Sequence, residues 1–509
     1  MSAAAPGRIL MVGLELGDGR LVYEWAKAGH LPTIAALIED GTWGRLETTA
    51  GQLHVSAWPS IYTGVGPGEH GVYYTFQPAP GLQGYQRFHE GLYGRPTFWQ
   101  LLDAAGRRCT IFDAPYTHPE PGFAGTQLFD WGTWAHYLAP QSTPRNLLRE
   151  LESACGKYPL GLEAHDLGFR PLDPADTQQR LIGAVRRKAE AALWLMRRSD
   201  VDLFMTVFGE THVAAHYCWS PDGDHDLMRG LYEELDRAIE RLLQAAGPDA
   251  LIVVVSGDAV APNHTGWYLL PEVLARLGYF ASAEMAAAPG GAGAEVATRF
   301  DPVRAVRDLL PKDFRKNLAR LLPTGLRDKL AQRVDTATFD WSRTTAYCLP
   351  TDLEGCIRIN LEGREPEGRV APGAEYEKAC RDLKSALEEL VEPDTGRCSV
   401  REVLIVDQAF PGPRRGHLPD LIVLWDAAAP ITALASERIG RVNGESPDPR
   451  PGTHAEPGFV LMRGSGIAAG RTIQDAHIFD VAPTILDRLG VAPPAHMTGR
   501  RLAKTTTVQ

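Results

Sequence analysis

The feature that most constrains this chain is an alternation of short apolar runs with longer amphipathic stretches. Arg8 to Leu14 (RILMVGL), Cys109 to Asp113 (CTIFD), Asp202 to Val207 (DLFMTV), Leu251 to Ser256 (LIVVVS), Asp420 to Trp425 (DLIVLW) and Phe459 to Arg463 (FVLMR) are runs of the first kind. They are apolar at consecutive positions rather than at every second one, which predicts strands buried on both faces. Between them, Leu21 to Gly41 (broken by Gly29 and Pro32), Thr97 to Ala105, Gln178 to Arg198 and Gly230 to Ala246 have helical spacing. Strand and helix alternating at this interval predict an α/β fold: a mostly parallel sheet with helices on both faces.

One stretch breaks the rhythm. Residues 281–297 are Ala/Gly-rich and read as a flexible connection, and the basic segment 303–334 after them reads as an inserted helical cap. The expected organisation is therefore a first core part at 1–280, the connection and cap at 281–345, and a second core part at 346–509. The last part includes a small β subdomain near 355–420, where GCIRIN alternates as a strand should.

Composition narrows the partners. The 63 acidic residues outnumber 52 basic ones, for a formal charge of −11, so nucleic acid is not expected as a main partner. No run of about 18 apolar residues exists, so no membrane span is expected. The start, MSAAAPGRILMVGLE, lacks the basic and apolar regions of a secretion signal. Seven cysteines, odd in number and without a CxxC, read as free thiols in a reducing cytoplasm. The expected partner is an anionic small molecule, which needs a local positive centre such as a metal; a homo-oligomer stays open.

In an open parallel sheet, ligands bind beyond the carboxyl ends of the strands. Glu15 follows the first apolar run there. Glu210, His212 and His216 follow DLFMTV, Asp258 follows LIVVVS, and His454 comes just before FVLMR. A lone histidine beside a strand is usually structural. Four segments that bring acids and imidazoles to one rim point instead to a bound metal, because buried charges must be paired or coordinated. His212 and His216, four apart, share one helix face and suit one ion, with His454 and a carboxylate to close the shell. Imidazole-rich ligation favours zinc, iron or manganese over calcium or magnesium. A pair of helix-capping histidines is the plainer alternative. Arg358 and Arg364 either clamp a substrate anion or form salt bridges within the β subdomain.

The order of these segments resembles the alkaline phosphatase superfamily, in its type I phosphodiesterase/nucleotide pyrophosphatase branch. The matching pieces run nearly end to end. They are GHLPTIAALIEDGTWG, SAWPSIYTGVGPGEHGVYY, GETHVAAHYCW, LIVVVSGDAVAPN, GTHAEPGFVLMRGSGI and IFDVAPTILDRLGVAPPAHMTGRRL. The elements at Thr63 to Gly71 and Asp480 to Val491 are the most specific, and other pieces resemble a bacterial subgroup. The resemblance implies an alkaline-phosphatase-like sheet, two divalent metals (usually zinc) on Asp and His ligands, and a Thr or Ser that attacks phosphorus.

This sequence departs from that pattern. The first family Asp falls on Glu15. Nine residues before Thr63, where the nucleophile is expected, stands His54; Ser56 substitutes only if the loop shifts. The family Asp-x-x-x-His becomes His212 and His216, with Glu210 nearby as a compensating carboxylate. Ser-Asp-His-Gly becomes Ser256-Gly257-Asp258-Ala259, and His264 reads as a loop residue rather than a replacement imidazole. His454 matches unchanged. The expected site is rewired: His54 and Glu210 catalytic, with Glu15, His212, His216, Asp258 and His454 holding one divalent ion rather than two. Three functions compete: a metal-dependent hydrolase of phosphate esters, diesters or pyrophosphates; a non-hydrolytic metal enzyme (transferase, lyase or isomerase); and a non-catalytic binding homologue.

Overall fold

The computed structural model describes residues 7–75, 77–82, 85–86, 92–132, 140–160, 172–198, 200–282 and 339–502. The expected cap at 303–334 and the connection before it lie outside these residues, apart from the first two positions of the connection.

Among the described residues, nine strands form the main sheet. In chain order they are β1 (Ile9–Leu14), β2 (Thr42–Glu47), β3 (Cys109–Phe112), β4 (Thr126–Phe129), β5 (Gln141–Thr143), β6 (Leu203–Phe208) and β7 (Leu251–Ser256), then two late strands, Gly458–Arg463 and Arg471–His477. A separate antiparallel pair joins β8 (Ala259–Pro262) to a later strand, Gly452–Ala455. A separate antiparallel sheet contains β9 (Ala346–Cys348), β10 (Gly355–Ile359), β11 (Val400–Ile405) and β12 (Leu421–Trp425), in the order β9-β10-β12-β11. The three strands nearest the end of the described chain are β13 (Gly452–Ala455), β14 (Gly458–Arg463) and β15 (Arg471–His477). The main sheet runs β15-β2-β14-β7-β1-β6-β3-β4-β5.

β1 shows why the consecutive apolar pattern means burial on both faces. Leu10, Val12 and Leu14 point into one core, and Ile9 and Met11 into the other. β6 and β7 alternate in the same way. Each fully buried aliphatic chain contributes roughly 1.5–3 kcal/mol relative to exposure. One face is covered by α1 (Gly19–Lys27), α2 (Pro32–Asp40), α5 (Pro174–Arg198) and α7 (Asp226–Ala246). The other is covered by α3 (Ala57–Thr63), α4 (Phe98–Ala104) and α8 (Val481–Arg488). The break at Gly29 and Pro32 separates α1 from α2 as the sequence predicts: Gly29 has φ of +85°, and Pro32 starts the next helix.

Two expectations need correction. Asp420 to Trp425 is a strand, but it lies in the four-stranded sheet, paired antiparallel with β10 and β11. An apolar run marks burial; it does not say which core does the burying. Phe459 to Arg463 is in the main sheet but antiparallel, between β2 and β7. The chain enters it from β13 through Glu456 and Pro457. The polar edge strand β15 and the mixed strand β2 (TWGRLE) carry weak apolar signals and escape a search for apolar runs.

The Thr63 to Gly71 element is structural. His70 is fully buried; its Nε2 lies 3.0 Å from Ser60 Oγ, and its Nδ1 accepts from the Val72 amide at 3.0 Å. Burial lowers its pKa to about 3. The native ring stays neutral while an unfolded one protonates below about 6.5, so the stability it confers is present above that pH and drains away down to about 3. In His70→Asn the unfolding free energy should therefore fall less steeply across this window, by about 1.4 kcal/mol per pH unit, in urea titrations. A destabilisation independent of pH would contradict this. Gly13 sits where a Cβ would come within 2.5 Å of Trp58 and 2.8 Å of Val207. Gly13→Ala should cost about 1–3 kcal/mol through overpacking, read as a lower urea midpoint with unchanged slope.

Candidate metal centre

β14 runs opposite to its neighbours, so its start lies beside the carboxyl end of β7, where Phe459 pairs with Ser256. His454, which precedes its strand, thereby reaches the rim that the other candidates reach by following theirs. β6 ends at Phe208, and after Gly209 the chain enters α6 (Glu210–Tyr217). His212 and His216 lie one turn apart on that helix, with their Nε2 atoms 3.1 Å from each other. His212, His216 and His454 each present one nitrogen, and these atoms all lie within 4.8 Å of one another.

The hydrogen bonds of two of these rings set their tautomers. His216 Nδ1 lies 2.8 Å from the Gly452 carbonyl, which only accepts, so Nδ1 donates and Nε2 keeps its lone pair. His454 Nδ1 lies 2.7 Å from Asp258 Oδ2 and donates to it, again freeing Nε2. Asp258 is held in turn: Oδ1 accepts from the Leu16 amide at 2.8 Å and lies 3.2 Å from Ser256 Oγ. Burial, aided by the charge of Arg450, lowers the His216 pKa well below the usual imidazole range, and burial lowers that of His454 too. Neutral imidazole is the ligating form. Nitrogens bound to one tetrahedral zinc sit about 3.3 Å apart, close to the His212–His216 spacing. The donor set fits one divalent ion with a coordination position left open.

His54 stands beside this group, its ring centre 4.6 Å from that of His454. It opens a short 3-10 turn before α3. Glu354 grips it twice: Oε1 accepts from the His54 amide at 2.8 Å, and both carboxylate oxygens lie 3.0 Å from Nδ1. Nε2 lies 3.6 Å from Asp352 Oδ1. Burial pulls the His54 pKa down, but Glu354 and then Asp352 outweigh it, and the net shift is upward. Ser56 is committed elsewhere, donating to the Leu53 carbonyl at 2.6 Å and lying 2.7 Å from Thr49 Oγ.

Several expected roles change. Asp258 is occupied with His454, Leu16 and Ser256, and so orients an imidazole instead of joining the ligand atoms. Glu15 is buried at the rim but is outside the group whose donors converge; its charge acts on Tyr62 and Lys188. Glu210 does not compensate at the histidines. Its Oε1 accepts from Tyr158 at 2.7 Å, and its Oε2 lies 4.0 Å from Lys188 Nζ, which pairs with Asp113 at 2.6 Å. Arg358 and Arg364 are held inside the small sheet: Arg358 bonds Glu365 at 2.6 Å and the Leu418 carbonyl at 3.0 Å, while Arg364 grips both oxygens of Asp420. Their geometry is that of internal salt bridges rather than of an anion clamp. His264 is a loop residue bonded to the Ala427 carbonyl.

Asp352, Glu354, Asp448 and Arg450 escaped the sequence reading. The first two lie in TDLEG, just before the alternating strand β10. The other two lie in DPRPGTH, immediately upstream of His454, where two prolines flank the arginine. Acids beside a strand start and a charge locked between prolines were the available signals.

Because Asp258 orients His454, Asp258→Asn should weaken zinc binding about 10–100-fold in competition titrations against a chelating dye. Unchanged affinity would remove Asp258 from this role.

A family model described as type I phosphodiesterase / nucleotide pyrophosphatase matches residues 9–459. No curated protein matches by sequence. Among solved structures, phosphonoacetate hydrolase from Sinorhizobium meliloti in complex with phosphonoformate aligns with a TM-score of 0.52 at 13% identity, over 95% of this chain and 96% of that one. Murine ectonucleotide pyrophosphatase / phosphodiesterase 5 in complex with AMP aligns at 0.51 with 10% identity, over 96% of each chain. These likenesses support the alkaline-phosphatase-like fold, and the match across most of the chain places this protein in the type I phosphodiesterase/nucleotide pyrophosphatase family.

Proposed function

We propose that the protein is a metal-dependent hydrolase of phosphate-ester, diester or pyrophosphate bonds in an anionic small molecule, with His54 in the nucleophile's position. The observation that carries this reading is the meeting of His212, His216 and His454 at the rim, with His54 anchored beside them by Glu354. The three imidazoles would hold one divalent ion, most simply zinc. Such an ion supplies charge neutralisation and Lewis-acid polarisation at a phosphoryl oxygen.

The chain's own groups supply the rest. Asp258 and the Gly452 carbonyl hold two imidazoles in the ligating tautomer. Glu354 accepts the His54 Nδ1 hydrogen, so that the neutral form of the ring offers its Nε2 lone pair either to phosphorus or to a proton of attacking water. Ser56 is bonded to the Leu53 carbonyl, which disfavours a phosphoserine route. Burial of these groups limits competing water and strengthens each electrostatic contact. The net charge of −11 does not oppose anion binding at a site with its own cation.

His54→Ala should lower kcat on p-nitrophenyl phosphate or bis-p-nitrophenyl phosphate at least about 100-fold while metal content stays the same. An acid-labile phosphoryl adduct in rapid-quench experiments would mark His54 as the nucleophile, and its absence the base. Retained turnover in the variant would overturn the role.

A further inference from the structure

Beside the three imidazoles, a second set of metal-ligand groups converges, and a guanidinium fills its centre. Arg450 Nε lies 2.8 and 2.9 Å from the two carboxylate oxygens of Asp448, and Nη2 lies 2.6 Å from Oδ2. The same Nη2 donates to Asp352 Oδ2 at 2.8 Å. Nη1 lies 3.4 Å from His216 Nε2. His216 Nε2 belongs to the three-imidazole group, while the two facing carboxylates are groups that a divalent cation takes from a protein. Here they surround an organic cation.

The arrangement is built. Pro449 and Pro451 fix the backbone on either side of Arg450. Asn263 Nδ2 donates to Asp448 Oδ2 at 2.9 Å and to the Arg450 carbonyl at 3.0 Å. The side chains of Arg450 and Asp448 are 10% and 1% exposed, so the pair is removed from water, and neither charge is tolerable there alone. Asp352 faces Arg450 with one oxygen and His54 with the other, which ties this cation to the residue in the nucleophile's position.

We propose that Arg450 is the second cation of this site, a permanent guanidinium that neutralises Asp352 and Asp448 where a second divalent ion would otherwise bind. The protein is then a one-metal centre with a built-in organic partner charge. This rests on the three-imidazole reading above for the first ion. A guanidinium stays charged at any working pH and is not lost to chelators, but it cannot act as a Lewis acid. The single charge of the guanidinium, unlike the two of a divalent ion, is therefore independent of metal supply.

Cobalt(II) titration of the full chain, followed by its visible d–d absorption and by elemental analysis after desalting, tests this. The wild type should saturate at one equivalent. Arg450→Ala, which leaves two carboxylates and the vacated volume, should take up two; Arg450→Lys, which keeps a cation, should stay at one. Two equivalents in the wild type, or one in folded Arg450→Ala, overturns the proposal. Should Arg450→Ala fail to fold, the wild-type and Arg450→Lys stoichiometries decide, one equivalent in each for it and two in either against it. No cobalt bound by the wild type defeats the three-imidazole reading, and this proposal with it; one equivalent in both wild type and Arg450→Ala defeats this proposal alone.

Discussion

The rim of this protein depends on a single strand running the wrong way. β14 lies antiparallel between β2 and β7, in a sheet whose central strands are otherwise parallel. Because its start faces the carboxyl ends of its neighbours, the loop before it delivers His454, Arg450 and Asp448 to the place where α6 delivers His212 and His216. Asp258 at the end of β7 then clasps His454 at 2.7 Å. A parallel β14 would carry that loop to the opposite edge, and the imidazoles would not meet.

The second constraint is electrostatic. The carboxyl rim buries Glu15, Asp113, Glu210, Asp258 and Asp448 and partly buries Asp352, a set that no fold tolerates unpaired. It divides into compartments. Lys188, reaching up from α5, serves Asp113 and Glu210 at the β3–β6 side, with Tyr158 adding a hydrogen bond. Burial alone would strip the Lys188 proton, and the facing carboxylates more than reverse that, so its pKa is raised. Arg450 serves Asp352 and Asp448 at the other side. The imidazoles adjoin Arg450, whose Nη1 lies 3.4 Å from His216 Nε2. The small β subdomain takes part directly, since the loop before β10 supplies both Asp352 and Glu354.

Aligned by the motif pattern that the family resemblance implies, this chain would put imidazoles where acids are expected and His54 where a hydroxyl is expected. A histidine in the nucleophile's position needs a partner for Nδ1, and Glu354 is there; an acid-poor ligand set needs less metal charge, and Arg450 contributes its own. Glu210, which seemed suited to replace a lost acid on sequence proximity to His212, is drawn off by Lys188 and Tyr158. Two residues along a helix turn the side chain by about 200°, so Glu210 and His212 face different neighbours.

The sequence by itself determined the layered α/β architecture, because runs such as LIVVVS and RILMVGL fit nowhere but the middle of a covered sheet. It also determined that His212 and His216 share a face, since a four-residue spacing in a helix leaves no other option, and the motif order disclosed the family. Only the tertiary structure decided what each charged group does. Asp258 and Glu15 look alike as acids after strands, yet one orients His454 and the other acts on Lys188 and Tyr62. Arg358 and Arg364 look like anion clamps until Glu365 and Asp420 are seen to hold them. Arg450 and Glu354 carry no pattern of their own and gain meaning from partners 98 and 300 residues away in the chain. Periodicity reports burial, a property each segment carries locally. Pairing of buried charge is decided between segments, by whichever counter-charge the packed fold places within reach.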